Sequence, residues 1–284
     1  MFDTLKRWLN RARRSEIATP TPELWARVEA RLPFLDFLPE EARLRLRALA
    51  VAFLGEKEFY GARGLRINDD IMLSIALQAC LLILKRGLAA YRGWVGIIVY
   101  PGDFVVPRQV MDEAGIVHEY NDQLLGEARR DGPVIVAWFD GGSPGPGVNV
   151  IVHEFAHKLD MANGNADGFP RLLPGMSRRQ WADVFTTAYG RLCRLDDSGI
   201  ETILDPYAAS NPGEFFAVAS EAFFETPLSL RAEFPAVYAQ LSAYYGLDTA
   251  EGEAQASGFR FATGFGMGRN TSENSNGGGD RMKP

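Results

Sequence analysis

Apolar positions along this chain change period twice. Thr21-Pro22-Glu23 is a helix start ahead of Leu24, Trp25 and Val28, and residues 23 to 56 read as helices. The second of these begins at Pro39-Glu40-Glu41 and carries Leu44, Leu46, Leu49 and Val51. Lys57 to Asn68 is polar with two glycines, a loop or a short strand pair. Asp69 to Lys85 predicts a buried helix. Its apolar run from Ile71 to Leu84 is interrupted by Ser74 and Gln78 and is too short to span a bilayer. The period then shortens. Val95 to Tyr100 predicts a strand ended by Pro101-Gly102-Asp103, Phe104 to Val106 a short extended piece before Pro107, and Val117 to Tyr120 and Val134 to Phe139 two further strands. Asn121 to Gly132 reads as a polar loop, and Asp140 to Gly147, with four glycines and two prolines, as a flexible one. Helical spacing returns at 148–159 and, after a loop from Asp160 to Pro174, over 179–195, 213–225 and 228–245.

The ends differ from this middle. Residues 1–22 form a basic, flexible leader in which Phe2, Leu5, Trp8 and Leu9 share one helical face, read as a lightly docked arm in preference to a membrane-surface helix. Residues 251–284 turn to Gly, Ser, Asn and Thr and predict a disordered tail. Residues 23–250 are expected to form a single domain. The 284 residues are 46% hydrophobic and 23% charged, as in soluble globular proteins. The net charge of −6 argues against direct nucleic-acid binding, which needs a basic surface. Cys80 and Cys193 lie in apolar helical patterns and read as buried thiols in a reducing compartment. Met1 to Trp8 is followed by Arg11, Arg13 and Arg14 and not by a signal-peptide core. The expected location is the cytoplasm.

Two of the three histidines stand in His153-Glu154-Phe155-Ala156-His157. Four residues apart on a helix, two imidazoles lie one above the other and can grip one zinc ion. Glu154, one step round the helix, can lie beside the metal and take a proton from a water held there. Two histidines leave zinc short of a third protein ligand. No His-x-x-Gly-x-x-His arrangement follows His157, so a carboxylate from another helix is required. Asn211-Pro212 marks a helix start, and Glu214 and Glu221, seven residues apart, share one otherwise apolar face. Spacing does not choose between them. Asp160, at the end of the His-x-x-x-His helix, reads as a hydrogen-bonding or capping residue and not a ligand. His118, the remaining histidine, reads as an ordinary strand residue in preference to a substrate contact.

His153 to Asp160 together with Asp205-Pro206-Tyr207-Ala208-Ala209-Ser210-Asn211-Pro212-Gly213-Glu214 through Glu221 closely resembles the MtfA (Mlc titration factor A) family. Tyr100 to Val106 also looks familial, and the likeness extends from about residue 30 to 245. Members are bacterial cytoplasmic zinc peptidases whose catalytic core is related to the protease domain of anthrax lethal factor. The resemblance implies an α+β fold with a zincin-like core, mostly helical, with a small mixed sheet beside the metal helix. It implies one Zn2+ per chain with Glu214 as third ligand and Glu221 orienting a ligand histidine. It also implies Tyr207, seven residues before Glu214, as an oxyanion donor facing the substrate. Val218 stands where lethal factor carries its second glutamate. Aminopeptidase-like cleavage of small peptide substrates and binding of an Mlc-type transcriptional repressor are the implied activities, the second being the rival to the first as the main output.

Overall fold

The computed structural model describes residues 13–14, 20–102, 104–111, 117–124, 126–139 and 148–254. The strands in chain order are β1 (Arg13–Arg14), β2 (Glu58–Gly61), β3 (Gly96–Pro101), β4 (Phe104–Met111), β5 (Val117–Leu124), β6 (Gly126–Ala128) and β7 (Val134–Trp138). The main helices are α1 (Pro22–Glu29), α2 (Glu40–Glu56), α3 (Asp69–Leu82), α4 (Val150–Asp160), α5 (Arg178–Asp197), α6 (Pro212–Glu225), α7 (Pro227–Glu233) and α8 (Pro235–Tyr245).

β3 is the centre of a mixed sheet of order β1-β2-β3-β7-β6. It runs parallel to β2 and β7, with Ile98 opposite both Tyr60 and Ile135. Its apolar run Ile97-Ile98-Val99 is buried because helices cover the inner sheet, the usual reason parallel strands lose alternation. β6 closes one end antiparallel to β7. At the other end Arg13–Arg14 of the leader pairs with β2, and the rest of 1–19 lies outside the described residues.

α3 is buried from Ile71 to Leu82 because it packs against α1, α2 and α4 together. Asn68 caps it, accepting from the Ile71 N–H at 2.9 Å. Phe155 of α4 points into a ring cluster with Phe53, Tyr91 and Trp94, its centroid 5.4 Å from that of Tyr91. A second cluster, in which Trp181 stacks on Phe185 at 4.1 Å, joins α5 to α6 and α8 through Phe216 and Tyr244.

Several expectations are corrected. β4 continues through Pro107 and pairs with β5 along eight residues. Both strands of a two-stranded ribbon are edges, where a proline nitrogen can face away from the partner. The polar stretch 121–132 is not all loop, since it holds the end of β5 and all of β6. A half-buried end strand shows no apolar alternation to read. The helix expected over 228–245 is two helices, because Pro235 has no N–H to continue α7 and instead starts α8. Cys80 is buried, whereas Cys193 is only half-buried, beside the Trp181, Phe185, Ala188 and Leu192 stripe of α5. The expected tail begins with helical residues to 254, held by Asp248, which accepts from the Glu251 N–H and the Tyr238 hydroxyl. The rest of the tail and the glycine-rich segment 140–147 lie outside the described residues. His118 sits on β5 opposite Val110, and its side chain is not among those described. No described helix is long and apolar enough to cross a membrane.

Candidate active site

α4 starts where Asn149 offers its side-chain oxygen to the Val152 N–H at 3.0 Å. The same residue ties the helix start to α6 twice. Its backbone N–H donates to Glu221 Oε2 at 2.6 Å and its side-chain amide to Glu225 Oε1 at 2.6 Å. With Val152, Phe155, Ala156 and Leu159 buried in the core, α4 turns His153 and His157 toward α6. α6 in turn begins at Asn211, whose side chain accepts from the Glu214 N–H at 3.0 Å and sets that glutamate in the first turn.

Three atoms converge between the helices. His153 Nε2 and His157 Nε2 lie 3.0 and 3.1 Å from Glu214 Oε2 and 3.1 Å from each other. Tetrahedral ligand atoms on a zinc at about 2.0–2.1 Å stand about 3.3–3.4 Å apart, so this triangle fits such an ion to within a few tenths of an ångström. His153 Nδ1 is 2.7 Å from Glu221 Oε1, a carboxylate already accepting on its other oxygen. An acceptor-only partner calls for the ring proton on Nδ1, and with a metal ion in the triangle Nε2 would offer its lone pair to the ion. His157 Nδ1 and, one turn on, Asp160 Oδ1 are buried with no hydrogen-bond partner among the described residues.

The charges follow from burial and pairing. Burial raises the Glu214 carboxyl, but its bonds to His153 and His157 outweigh that and bring its pKa down to about 2. For His153 burial works against the charged ring, and the bonds to Glu214 and Glu221 overcome it, leaving its pKa well above the usual value. Glu154 is buried beside the triangle, and burial with little compensation pushes its pKa up to about 8. Its Oε2 has no hydrogen-bond partner among the described residues. β6 crosses directly over it: a Cβ on Gly126 would fall 2.2 Å from Glu154 Oε1. Tyr207, on the 3-10 turn Pro206–Ala209 that Asp205 caps, is half exposed, with its ring centre 6.2 Å from that of His153. Asp160 is fully buried and its Oδ2 accepts from the Gly168 N–H at 2.8 Å. Burial, only partly offset by that bond, raises its pKa to about 7.

Residues 6–246 match the family described as glucose-regulated metallo-peptidase M90. The chain belongs to the M90 family of metallopeptidases. It is similar to the Synechocystis sp. protein slr2042, 37% identical over 248 residues that cover 85% of this chain and 90% of the relative. It is also similar to proteins named Mlc titration factor A. That of Escherichia fergusonii is 34% identical over 220 residues, 76% of this chain and 83% of the relative, and that of Salmonella arizonae 34% identical over 241 residues, 83% and 95%.

In this M90 peptidase the fold brings together His153, Glu154, His157, Glu214 and Glu221, residues from segments separated by about sixty positions, and sets Tyr207 at the rim. Asp160 lies behind His157 and bonds the loop after α4 instead of capping the helix. Three contributors are invisible to motif reading. Asn149 is legible only through the helix-start rule, an Asn immediately before an apolar periodic run. Gly126 stands in a stretch with no strand pattern. Lys158 looks like an ordinary surface lysine but is buried.

Proposed function

We propose that this metallopeptidase is zinc-dependent and hydrolyses peptide bonds with Glu154 as general base. The convergence of two imidazole nitrogens and one carboxylate oxygen within 3.1 Å of one another carries this reading. A mixed nitrogen and oxygen donor set suits zinc, whereas magnesium and calcium take oxygen ligands. His153, His157 and Glu214 would hold the ion, one per chain, with Glu221 fixing the His153 ring. Bound there, zinc would supply a Lewis acid that polarises the scissile carbonyl and makes water acidic enough to ionise near neutral pH. Glu154 accepts the proton of the attacking water and returns it to the leaving amine. Tyr207 donates its phenol to the carbonyl oxygen as negative charge develops. The substrate backbone lies along the outer edge of β6, beside which the described residues contain no further strand, and pairs with it in extended form.

Aminopeptidase-like action on small peptides in the cytoplasm is the specificity we infer, supported by the family resemblance. Glu154→Gln tests the mechanism. It should keep the metal and lower turnover by about 10²-fold or more. Near-normal hydrolysis by a metal-replete variant would end the general-base reading.

The name Mlc titration factor A supports a second role, binding of an Mlc-type repressor. Such binding does not need Glu154. The Glu154→Gln protein should therefore still bind an Mlc-type repressor while failing to cleave peptide. Loss of both together would tie the partner to the catalytic cleft.

A further inference from the structure

The residue after His157 is a lysine that is 4% exposed. Among the described residues Lys158 forms no ion pair. Its ammonium has three N–H donors. They go to three main-chain carbonyls, those of Arg129, of Arg130 at 3.3 Å and of Gly132 at 2.8 Å. All three belong to the turn joining β6 to β7. The Trp94 ring lies alongside, 4.8 Å from Nζ, and a second buried lysine, Lys57, stands 3.9 Å from the same ring and bonds the Tyr91 and Trp94 carbonyls.

A buried ammonium is costly unless every donor is used, and this one is fully used by the turn that β6 and β7 close by their pairing. No residue from Arg129 to Gly132 is buried, so hydrophobic packing does not fasten that turn to α4. β6 itself is three half-buried residues long. At its other end Gly126 lies against Glu154 with no room for a methyl group. The placement of the sheet edge over the general base is therefore set by two things, the pairing of β6 with β7 and the carbonyl cage around Lys158.

We propose that Lys158 is a positioning residue for substrate, holding the β6–β7 turn to the metal helix so that the free edge of β6 stands where an extended peptide can pair with it beside Glu154. This rests on the peptidase reading and deepens it. Lys158 touches neither the metal-binding triangle nor the reacting atoms. Its loss should weaken pairing in proportion to the length of backbone paired. A single-residue substrate, which cannot form a ladder, should barely notice it.

The experiment compares wild type and Lys158→Met, at measured metal content, on an aminoacyl p-nitroanilide and on a hexapeptide. The expected result is unchanged metal, little change in kcat/KM for the p-nitroanilide, and a rise of about tenfold in KM for the hexapeptide. That is the scale of losing charge-assisted hydrogen bonds that order a binding edge. An equal fall on both substrates, or no change on the hexapeptide, overturns the proposal. If Lys158→Met does not fold, Lys158→Arg takes its place. A planar guanidinium keeps the charge but does not fit a cage built around one nitrogen, so the same contrast between substrates is expected and its absence is equally decisive. A metal-replete wild type that cleaves neither substrate would refute the peptidase reading itself, and this proposal with it.

Discussion

Gly126→Ala perturbs the general base without touching a proposed metal ligand. Gly126 does not have a positive φ, so the backbone accepts alanine and the objection is one of space. The added Cβ would meet Glu154 Oε1 at 2.2 Å, Cγ at 2.4 Å and Cδ at 2.5 Å. Carbon contacts settle at about 3.5–4.0 Å, so the two groups must separate by about 1 Å. The Glu154 carboxylate swings away, because rotating a side chain costs less than pulling β6 off its pairing with β7. Overpacking of this kind costs about 1–3 kcal/mol of stability, which a folded domain of this size tolerates. The catalytic cost is of similar size and shows directly in turnover. Displacing a catalytic group by 1 Å lowers turnover by about 10²-fold. The assay is kcat on a peptide substrate with metal content and Tm measured on the same preparation. Metal should stay at wild-type level, because His153, His157 and Glu214 are not approached. A wild-type kcat at full metal occupancy would refute the reasoning, since it would mean that the methyl group is absorbed without moving the base.

Tyr207→Phe should lower kcat by about 10²–10³ with KM and metal content nearly unchanged, because an oxyanion donor acts mainly in the transition state. An unchanged kcat at equal metal occupancy would reduce Tyr207 to a packing residue. Glu214→Ala and His157→Ala should each abolish metal binding in equilibrium dialysis, whereas Glu221→Ala should weaken it by about 10–100-fold, as expected for a residue that only orients His153. Full metal retention in Glu214→Ala would disprove the ligand assignment. Asp160 gives a pH prediction for the metal-free protein. With its folded pKa raised to about 7 from 3.8, the native state holds the extra proton between those values, so stability falls as pH rises through that window. Asp160→Asn keeps an acceptor for the Gly168 N–H and should flatten that part of the stability curve, by an amount of order 4 kcal/mol at most. An unchanged slope in chemical denaturation would show that Asp160 is already ionised there.

The chemistry-bearing residues were legible because they obey local rules. His153, Glu154 and His157 follow from helix periodicity alone, and the α6 start follows from Asn211-Pro212. The long buried α3 and the strands β3 and β7 were equally plain, since unbroken apolar runs report burial directly. Family resemblance was needed to prefer Glu214 over Glu221, and the reason is geometric. Both share one face of α6, and only the way α6 packs on α4 brings Glu214 to the two Nε2 atoms and Glu221 to Nδ1. β6 was hidden for a different reason. A three-residue end strand is defined by its pairing with β7, not by any pattern of its own. Gly126 and Lys158 owe their meaning to tertiary structure entirely. One is a glycine because Glu154 fills the space of its missing side chain, and the other is a lysine because a distant turn presents three carbonyls to it. Sequence sets the periodicity that places a ligand on a helix, but which groups are desolvated, and by what, depends on contacts made across the fold.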